Sequence, residues 1–336
     1  LVTIKDIAKA AGISVTTVSR ALNGYNDVNP DTKANIQRIA KEMGYVPNRA
    51  AQNLVKTHSN TLAIILSGLT QDGGKDNIVY RLLAGMYQFA ETVNYEVALF
   101  TTSSAHQKEK SYVQFCREHN IAGAVLNGIR LDDPYLLELM DSPLPCVLID
   151  VHEKGNHVSA VSIDNRLASE EVVSVLIENG HQKIGMITGR REAHVSIDRE
   201  AGYKRALEKA GIPVVPQYKV VGDFLEQKAY DEATALLTRH PEITALFCAS
   251  DMMAIGAYRA AKDLGRRIPE DLSVAGFDDI PIAEHLSPPL TTVGQDFYQM
   301  GYEAAKQLLS MIEGRVENKN IILSHKLLVR ESICKL

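Results

Sequence analysis

The 336-residue chain has no apolar run approaching the roughly 20 residues needed to cross a bilayer, so no membrane span is expected. Its first residues, Leu1-Val2-Thr3-Ile4-Lys5-Asp6, lack a basic region followed by an apolar stretch, and no secretory signal is expected there. The four cysteines, Cys116, Cys146, Cys248 and Cys334, are scattered, with no pair at metal-ligand spacing; they read as reduced thiols of a cytoplasmic protein. Also missing are a Gly-x-Ser-x-Gly elbow, a phosphate loop with Gly-Lys-Ser/Thr, a His-Glu-x-x-His pair and a Cys-x-x-Cys pair. The ten histidines are dispersed, and His181, in Asn179-Gly180-His181, reads as the end of a helix–strand turn. No catalytic residue, metal site or cofactor is expected. No leucine heptad follows Val329-Arg330-Glu331-Ser332, which favours a dimer over a tail-tethered tetramer.

The length suits two or three domains, and a 45% hydrophobic content is ordinary for a soluble globular protein. Charge is distributed unevenly. Residues 1–58 hold eight basic and four acidic side chains, a local +4, in a chain of net −5. A basic head on an acidic body suits a phosphate-binding module attached to something else.

Thr3 and Asp6 bracket the start of a first helix, on which Ile4, Ile7, Ala8 and Ala11 share a face. Gly12 stops it, and Ser14 caps a second helix over Val15–Asn23 with Val18, Ala21 and Leu22 on its buried side. Two short helices joined by a glycine turn form a helix-turn-helix, whose second helix enters the DNA major groove. Ser14, Val15, Thr16, Thr17, Ser19, Arg20 and Asn23 are therefore the candidate DNA contacts: short hydroxyls suit base edges and phosphates, and arginine suits guanine or phosphate. A third helix opens at Asn29-Pro30 and ends at Gly44, with Ile36, Ile39, Ala40 and Met43 packing inward. Beyond Pro47, Asn48–Lys56 is a helix-forming segment of only about nine residues, too short to hold a helix by itself in water.

Thr3-Ile4-Lys5-Asp6-Ile7-Ala8, Gly12-Ile13-Ser14, Thr16-Thr17-Val18-Ser19-Arg20 and Gly44-Tyr45-x-Pro47-Asn48 resemble the head of the lactose/galactose repressor family of bacterial transcriptional regulators. The resemblance implies that the linker folds into a hinge helix on a pseudo-palindromic operator and pairs with its dimer mate. Leu54 matches the leucine that such hinges push into the minor groove, an apolar wedge that bends the duplex. Thr3, Tyr45, Asn48 and Arg49 join the expected DNA contacts on the same ground.

From Thr61 onward, short apolar strands alternate with amphipathic helices. Strands are expected at Leu62–Leu66, Glu96–Phe100, Gly123–Leu126, Cys146–Ile149 and Val158–Ile163, then at Lys183–Ile187, Lys219–Val221, Ala245–Cys248 and Ser273–Gly276. Helices are expected between them, among others at Lys108–Glu118, Arg199–Ala210 and Met252–Leu264. The pattern predicts two doubly wound parallel-sheet lobes with a ligand cleft at the carboxyl ends of the strands. Asn127, Asp150, Asp164, Ser250-Asp251 and Asp278-Asp279 stand at those ends; any one of them is also an ordinary turn or helix-cap residue. The predicted fold is thus a small all-α helix-turn-helix domain (1–47), a hinge linker (48–59) and an α/β core (60–336). Lobe one is expected at about 60–161 and 293–321, lobe two at about 162–292 and 322–336.

The resemblance runs through this body to about Ser332, most specifically in Ser250-Asp251-Met252-Met253-Ala254-Ile255-Gly256-Ala257 and Gly276-Phe277-Asp278-Asp279. It implies a periplasmic-binding-protein-like core in which Arg199 and Asp278 hold the effector from opposite sides. Asp150, Asn127 and Gln295 match polar contacts of sugar-responsive members, and Phe224 matches an aromatic platform. Ser250 stands where the lactose-type member has an amide. Ser67 opens a loop, Ser67–Tyr80, that replaces the family's proline–aromatic segment at the cleft entrance. Carboxylates and an amide over one aromatic ring suit a pyranose better than a purine, so a sugar or sugar phosphate is the expected effector of a ligand-controlled repressor. Two relatives of that reading stay open: a purine- or nucleoside-responsive repressor, and a catabolite-control regulator that takes a phosphorylated carrier protein as corepressor. Tyr298 and Gly301 fit the latter's docking helix, whereas Lys306 stands where it has an arginine. A transport-associated sugar-binding protein would lack the helix-turn-helix head.

Overall fold

The computed structural model describes residues 2–22, 25, 27–45, 60–68, 76–153, 155–315 and 320–336. The chain divides into two compact units, residues 1–59 and 60–336. The expected hinge segment 48–56 lies outside the described residues.

In the first unit, three helices span Ile4–Ala11, Val15–Leu22 and Pro30–Glu42. The Asp6 carboxylate accepts both the Thr3 N–H (2.9 Å) and the Thr3 hydroxyl (2.7 Å), which fixes the chain's entry into the first helix. Those bonds hold the Asp6 carboxyl below its ordinary value. Gly12, at φ 69°, turns the chain, and the Ser14 hydroxyl then accepts the Thr17 N–H at 3.0 Å to start the second helix. Ile7, Val18, Ala21 and Ile36 are fully buried where the three helices meet. Truncating Ile7 or Ile36 to alanine would cost about 2–5 kcal/mol, a large share of what a domain of this size can hold.

The second unit is built on two parallel sheets. The first has the order β2-β1-β3-β4-β5-β11, with β1 Thr61–Ser67, β2 Glu96–Thr102, β3 Ala124–Asn127, β4 Cys146–Ile149, β5 Val158–Ile163 and β11 Asn320–Leu323. The second has the order β7-β6-β8-β9, with β6 Ile184–Thr188, β7 Lys219–Val221, β8 Ala245–Cys248 and β9 Ser273–Ala275. A short antiparallel pair, β10 Thr292–Gly294 with β12 Lys326–Leu328, accompanies them. Strands β4, β5, β6 and β8 are buried along their whole length, because helices cover both faces; that is why they read as apolar runs rather than alternating ones.

Several elements differ from the sequence expectation. The single helix expected at Lys108–Glu118 is two, Ser104–Glu109 and Tyr112–Glu118. Ser111 opens a new capping box with Gln114, its hydroxyl accepting the Gln114 N–H at 3.2 Å while its own N–H donates to Gln114 Oε1 at 3.1 Å. The helix expected from Arg199 starts five residues earlier, at His194. Sheet one runs through Ile163 and Leu323, two residues beyond each expected lobe boundary. Helix Phe297–Ile312, absent from the helices expected by periodicity, packs backbone to backbone on helix Asp76–Thr92: a Cβ on Gly301 would lie 2.0 Å from the Leu82 carbonyl oxygen. Gly301 thus has a packing reason to be glycine. Among the described residues no helix is long and apolar enough to cross a membrane, and no cluster of three metal-ligating side chains occurs.

Candidate functional site

The second helix of the head presents Val15, 44% exposed, and Thr16 at its start. Ser14 and Thr17 are joined hydroxyl to hydroxyl at 2.8 Å. Arg20 points outward and is held: its Nε donates to Asp27 Oδ1 at 3.2 Å, its Nη2 donates to Asp27 Oδ2, and its guanidinium lies 4.9 Å from the centre of the Tyr25 ring. Ser19 is half-buried. Of the other expected contacts, Thr3 is a helix cap and Tyr45 packs on the head's core. Asn23, Asn48, Arg49 and Leu54 lie outside the described residues.

In the core, the carboxyl ends of β3, β4, β6, β8 and β9 converge on one cleft of about 960 Å³, open solvent at its mouth included. Asn127, Asp150, Arg199, Phe224, Ser250, Asp278 and Gln295 all line it. At its floor, Arg199 is 3% exposed and stacks on the Phe277 ring at 3.7 Å. Its Nη1 donates to the Ala249 carbonyl at 2.7 Å and approaches Asp278 Oδ1 at 3.4 Å, while its Nε donates to Asn165 Oδ1 at 2.9 Å. Asp278 Oδ1 also accepts the Gln295 amide at 2.8 Å. Burial pushes the Asp278 carboxyl up to about 6; Arg199 and Gln295 hold it down from a higher value, and Asp150 across the cleft adds to the rise. Gln295 Oε1 is buried and, among the described residues, has no hydrogen-bond partner.

The backbone is strained at the same place. Asp150 (φ 59°), Phe224 (φ 63°) and Asp278 (φ 113°) are non-glycine residues in the left-handed region, and all three line the cleft. Each costs of order 1–3 kcal/mol and persists only where the surroundings enforce it, a pattern typical of ligand sites. Gly189 leaves room for the Phe224 ring: a Cβ there would lie 2.0 Å from it.

Residues 3–48 match the profile of bacterial regulatory proteins, lacI family, and residues 173–333 match a periplasmic binding protein-like domain. The HTH-type transcriptional regulator CelR of Thermobifida fusca is 34% identical over 335 residues, 98% of each chain. The chain belongs to the lacI family.

This lacI-family chain is therefore a DNA-binding transcriptional regulator, with a helical head and a parallel-sheet core. A solved CelR–cellobiose complex covers 99% of it and is itself covered completely, with a TM-score of 0.75 at 31% identity. The lac repressor dimer bound to operator and the anti-inducer ONPF superposes with a TM-score of 0.83 at 26% identity, covering 99% of both chains.

Three expected effector residues of this lacI-family chain lie outside the cleft lining, each for a structural reason. Asp164 is exposed and caps helix Asn165–Glu178, accepting the Leu167 N–H at 2.9 Å. Asp251 is fully buried and ties the loop after β9 to β10, accepting the Ile280 N–H at 3.0 Å and the Thr292 hydroxyl at 2.6 Å. Its burial and the nearby Asp278 raise its carboxyl well above the ordinary range. Ser67 is buried in a network of lobe one, donating to Asp133 at 3.2 Å and accepting from Gln107 at 3.3 Å.

Sequence reasoning missed two residues. Asn165 is buried beside Asp164 and links Arg199 to the Asp150 side, its Nδ2 lying 3.3 Å from the Ser162 hydroxyl, which in turn donates to Asp150 at 2.6 Å. A strand-end rule points equally to either neighbour, and only the direction of the turn selects Asn165. His194 lines the cleft with its Nδ1 3.1 Å from Asp198 and its ring 5.4 Å from that of His152 in the other lobe. Asp198 raises the His194 pKa against the pull of burial. Close by, the Leu131 N–H of lobe one donates to the Glu192 carbonyl of lobe two at 2.8 Å, a backbone bond across the mouth.

Proposed function

We propose that the chain is a cytoplasmic, homodimeric transcriptional repressor whose affinity for a pseudo-palindromic operator is set by a small carbohydrate held in the cleft. In this reading residues 1–47 are the DNA-binding head, 48–59 the hinge linker and 60–336 the effector-binding and dimerisation core, and no catalytic step occurs. Ser14, Val15, Thr16, Thr17, Ser19 and Arg20 meet bases and phosphates in the major groove. Asn127, Asp150, Arg199, Phe224, Ser250, Asp278 and Gln295 hold the effector.

The observation that carries the effector class is the mixture at the cleft floor. A buried guanidinium, a buried carboxylate and the partnerless Gln295 Oε1 stand together, with the Phe224 ring in the same cleft. Hydroxyl groups both donate and accept, so a polyhydroxylated ligand can serve all three, while the apolar face of its ring lies on Phe224. The CelR–cellobiose complex supports the same class. A dimer follows from the need for paired heads on a symmetric site, and the lac repressor dimer on its operator supports it.

Thermal-shift screening of the full chain against monosaccharides, disaccharides and their phosphates tests the ligand. A compound that raises the melting temperature is expected to change operator affinity by about a hundredfold in a mobility-shift titration, a coupling of roughly 2.7 kcal/mol. If none of them moves the melting temperature, the carbohydrate reading fails. If the chain shows no sequence-selective binding to the DNA upstream of its gene at moderate salt, repression fails.

A further inference from the structure

We propose that Asp27 is a specificity-determining residue of the head, acting as the positioning partner that presents Arg20 to a guanine. The inference rests on the reading that the Val15–Leu22 helix faces DNA bases. Arg20 has five N–H donors in a fixed plane. Asp27 takes one on Nε and one on Nη2, a side-on bidentate pair, and the Tyr25 ring lies against the guanidinium at 4.9 Å. The two contacts fix different coordinates: the carboxylate sets the rotation of the fork in its plane, and the ring sets the plane itself. The edge this arrangement leaves to an incoming base is the one formed by Nη1 and the second hydrogen of Nη2. That edge has the geometry that meets the O6 and N7 of guanine.

Energetics separate this role from a simple surface ion pair. Arg20 and Asp27 have side-chain exposures of 45% and 55%, so their mutual attraction contributes little to folding. Asp27 also brings a negative charge towards the phosphates, which weakens sequence-independent binding. What the pair offers is a guanidinium whose rotamers are already ordered before DNA arrives, which removes an ordering cost from the specific complex alone. Asp27 thus lowers affinity for every duplex through its charge and restores it for duplexes with guanine in the right place.

The two effects have opposite signs, and that makes them measurable. Binding sites are selected from a randomised duplex pool with the full-length protein, with Arg20→Ala, with Asp27→Ala and with Asp27→Asn. Affinities are then compared by fluorescence anisotropy on the selected duplex, on its single-base variants and on an unrelated duplex of equal length. Arg20→Ala is expected to abolish preference at one base pair in each half-site. Asp27→Ala is expected to lose about fivefold or more of the preference at that same pair, while its affinity for the unrelated duplex rises. Asp27→Asn, which keeps the shape, should fall between it and the parent protein. The proposal is overturned if Asp27→Ala keeps the parent's preference at the pair that Arg20 reads. It is equally overturned if both affinities rise by one factor, which would make Asp27 only a competing charge, or if both fall with a loss of head helicity by circular dichroism. An unchanged preference in Arg20→Ala would remove its basis, whereas failure of the parent protein to select any sequence would instead sink the DNA-binding reading itself.

Discussion

The head and the cleft solve the problem of holding a functional side chain in opposite ways. In the head, Ser14 and Arg20, proposed to face DNA, are exposed and are steadied by partners three to seven positions away: Ser14 by Thr17, Arg20 by Asp27. In the cleft, Arg199, Asp278 and Gln295, together with Asn165 bonded to Arg199, are each under a tenth exposed and are joined by contacts 17 to 79 positions apart. Exposed groups can be arranged at almost no cost to folding, because water compensates whatever the protein does not. Buried polar groups cannot, and the strained backbone at Asp150, Phe224 and Asp278 adds to the burden. The core carries a functional load that its apolar sheets must offset; the head carries almost none.

The contrast can be broken in order of size. Arg199→Ala leaves the Asp278 carboxylate buried without its cation, and a loss of about 3–5 kcal/mol is expected in the core's denaturant transition, together with loss of any ligand-induced shift in melting. If the transition moves by less than 1 kcal/mol, roughly the value of an exposed pair, the contrast with the head disappears. Next is the pH dependence of Asp278. Its folded pKa, about 6, lies above the ordinary 3.8, so the folded state binds the proton more tightly and stability falls as pH rises through that window. The decline amounts to roughly 3 kcal/mol. Asp278→Asn should flatten it, as measured by urea midpoints at pH 4, 5, 6 and 7; parallel curves for variant and parent would show that this carboxyl is not held up by burial. Smallest is Ser14→Ala, which removes one cap and should cost about 1 kcal/mol in the head's transition without moving the core's. A shift of the core by the same amount would mean that the two units do not unfold independently.

What could be read from the chain follows the same division. The head's caps and turn are encoded within three or four residues, so Thr3-Asp6, Gly12 and Ser14 were sufficient to place its helices. Buried strands announced themselves as apolar runs, since β4, β5, β6 and β8 are covered on both faces. The short strands β10, β11 and β12 gave no such signal. Nor did helix Phe297–Ile312, although its apolar residues recur at helical spacing and bury Phe297, Met300, Ala304 and Leu308. The break at Ser111 is legible in Ser111-x-x-Gln114, a capping-box spacing inside the expected helix. At the cleft, position after a strand found Asn127, Asp150 and Ser250, and the resemblance supplied Arg199, Phe224 and Gln295. Neither separates a residue that lines the cavity from one that caps a helix or ties a loop, and so both offer Asp164 and Asp251 beside the cleft residues and leave out Asn165, which braces Arg199.

Among the described residues the chain passes between the lobe of sheet one and the lobe of sheet two three times: after Ile163, between Gly294 and Phe297, and between Leu323 and Lys326. A body hung on one strand can tumble, and one hung on two can still shear. Three side-by-side connections permit little except a swing about their common line, as a door moves on aligned hinges. Whatever settles between the lobes, its grip is therefore converted into one angular coordinate of the core rather than dissipated among many small adjustments of loops.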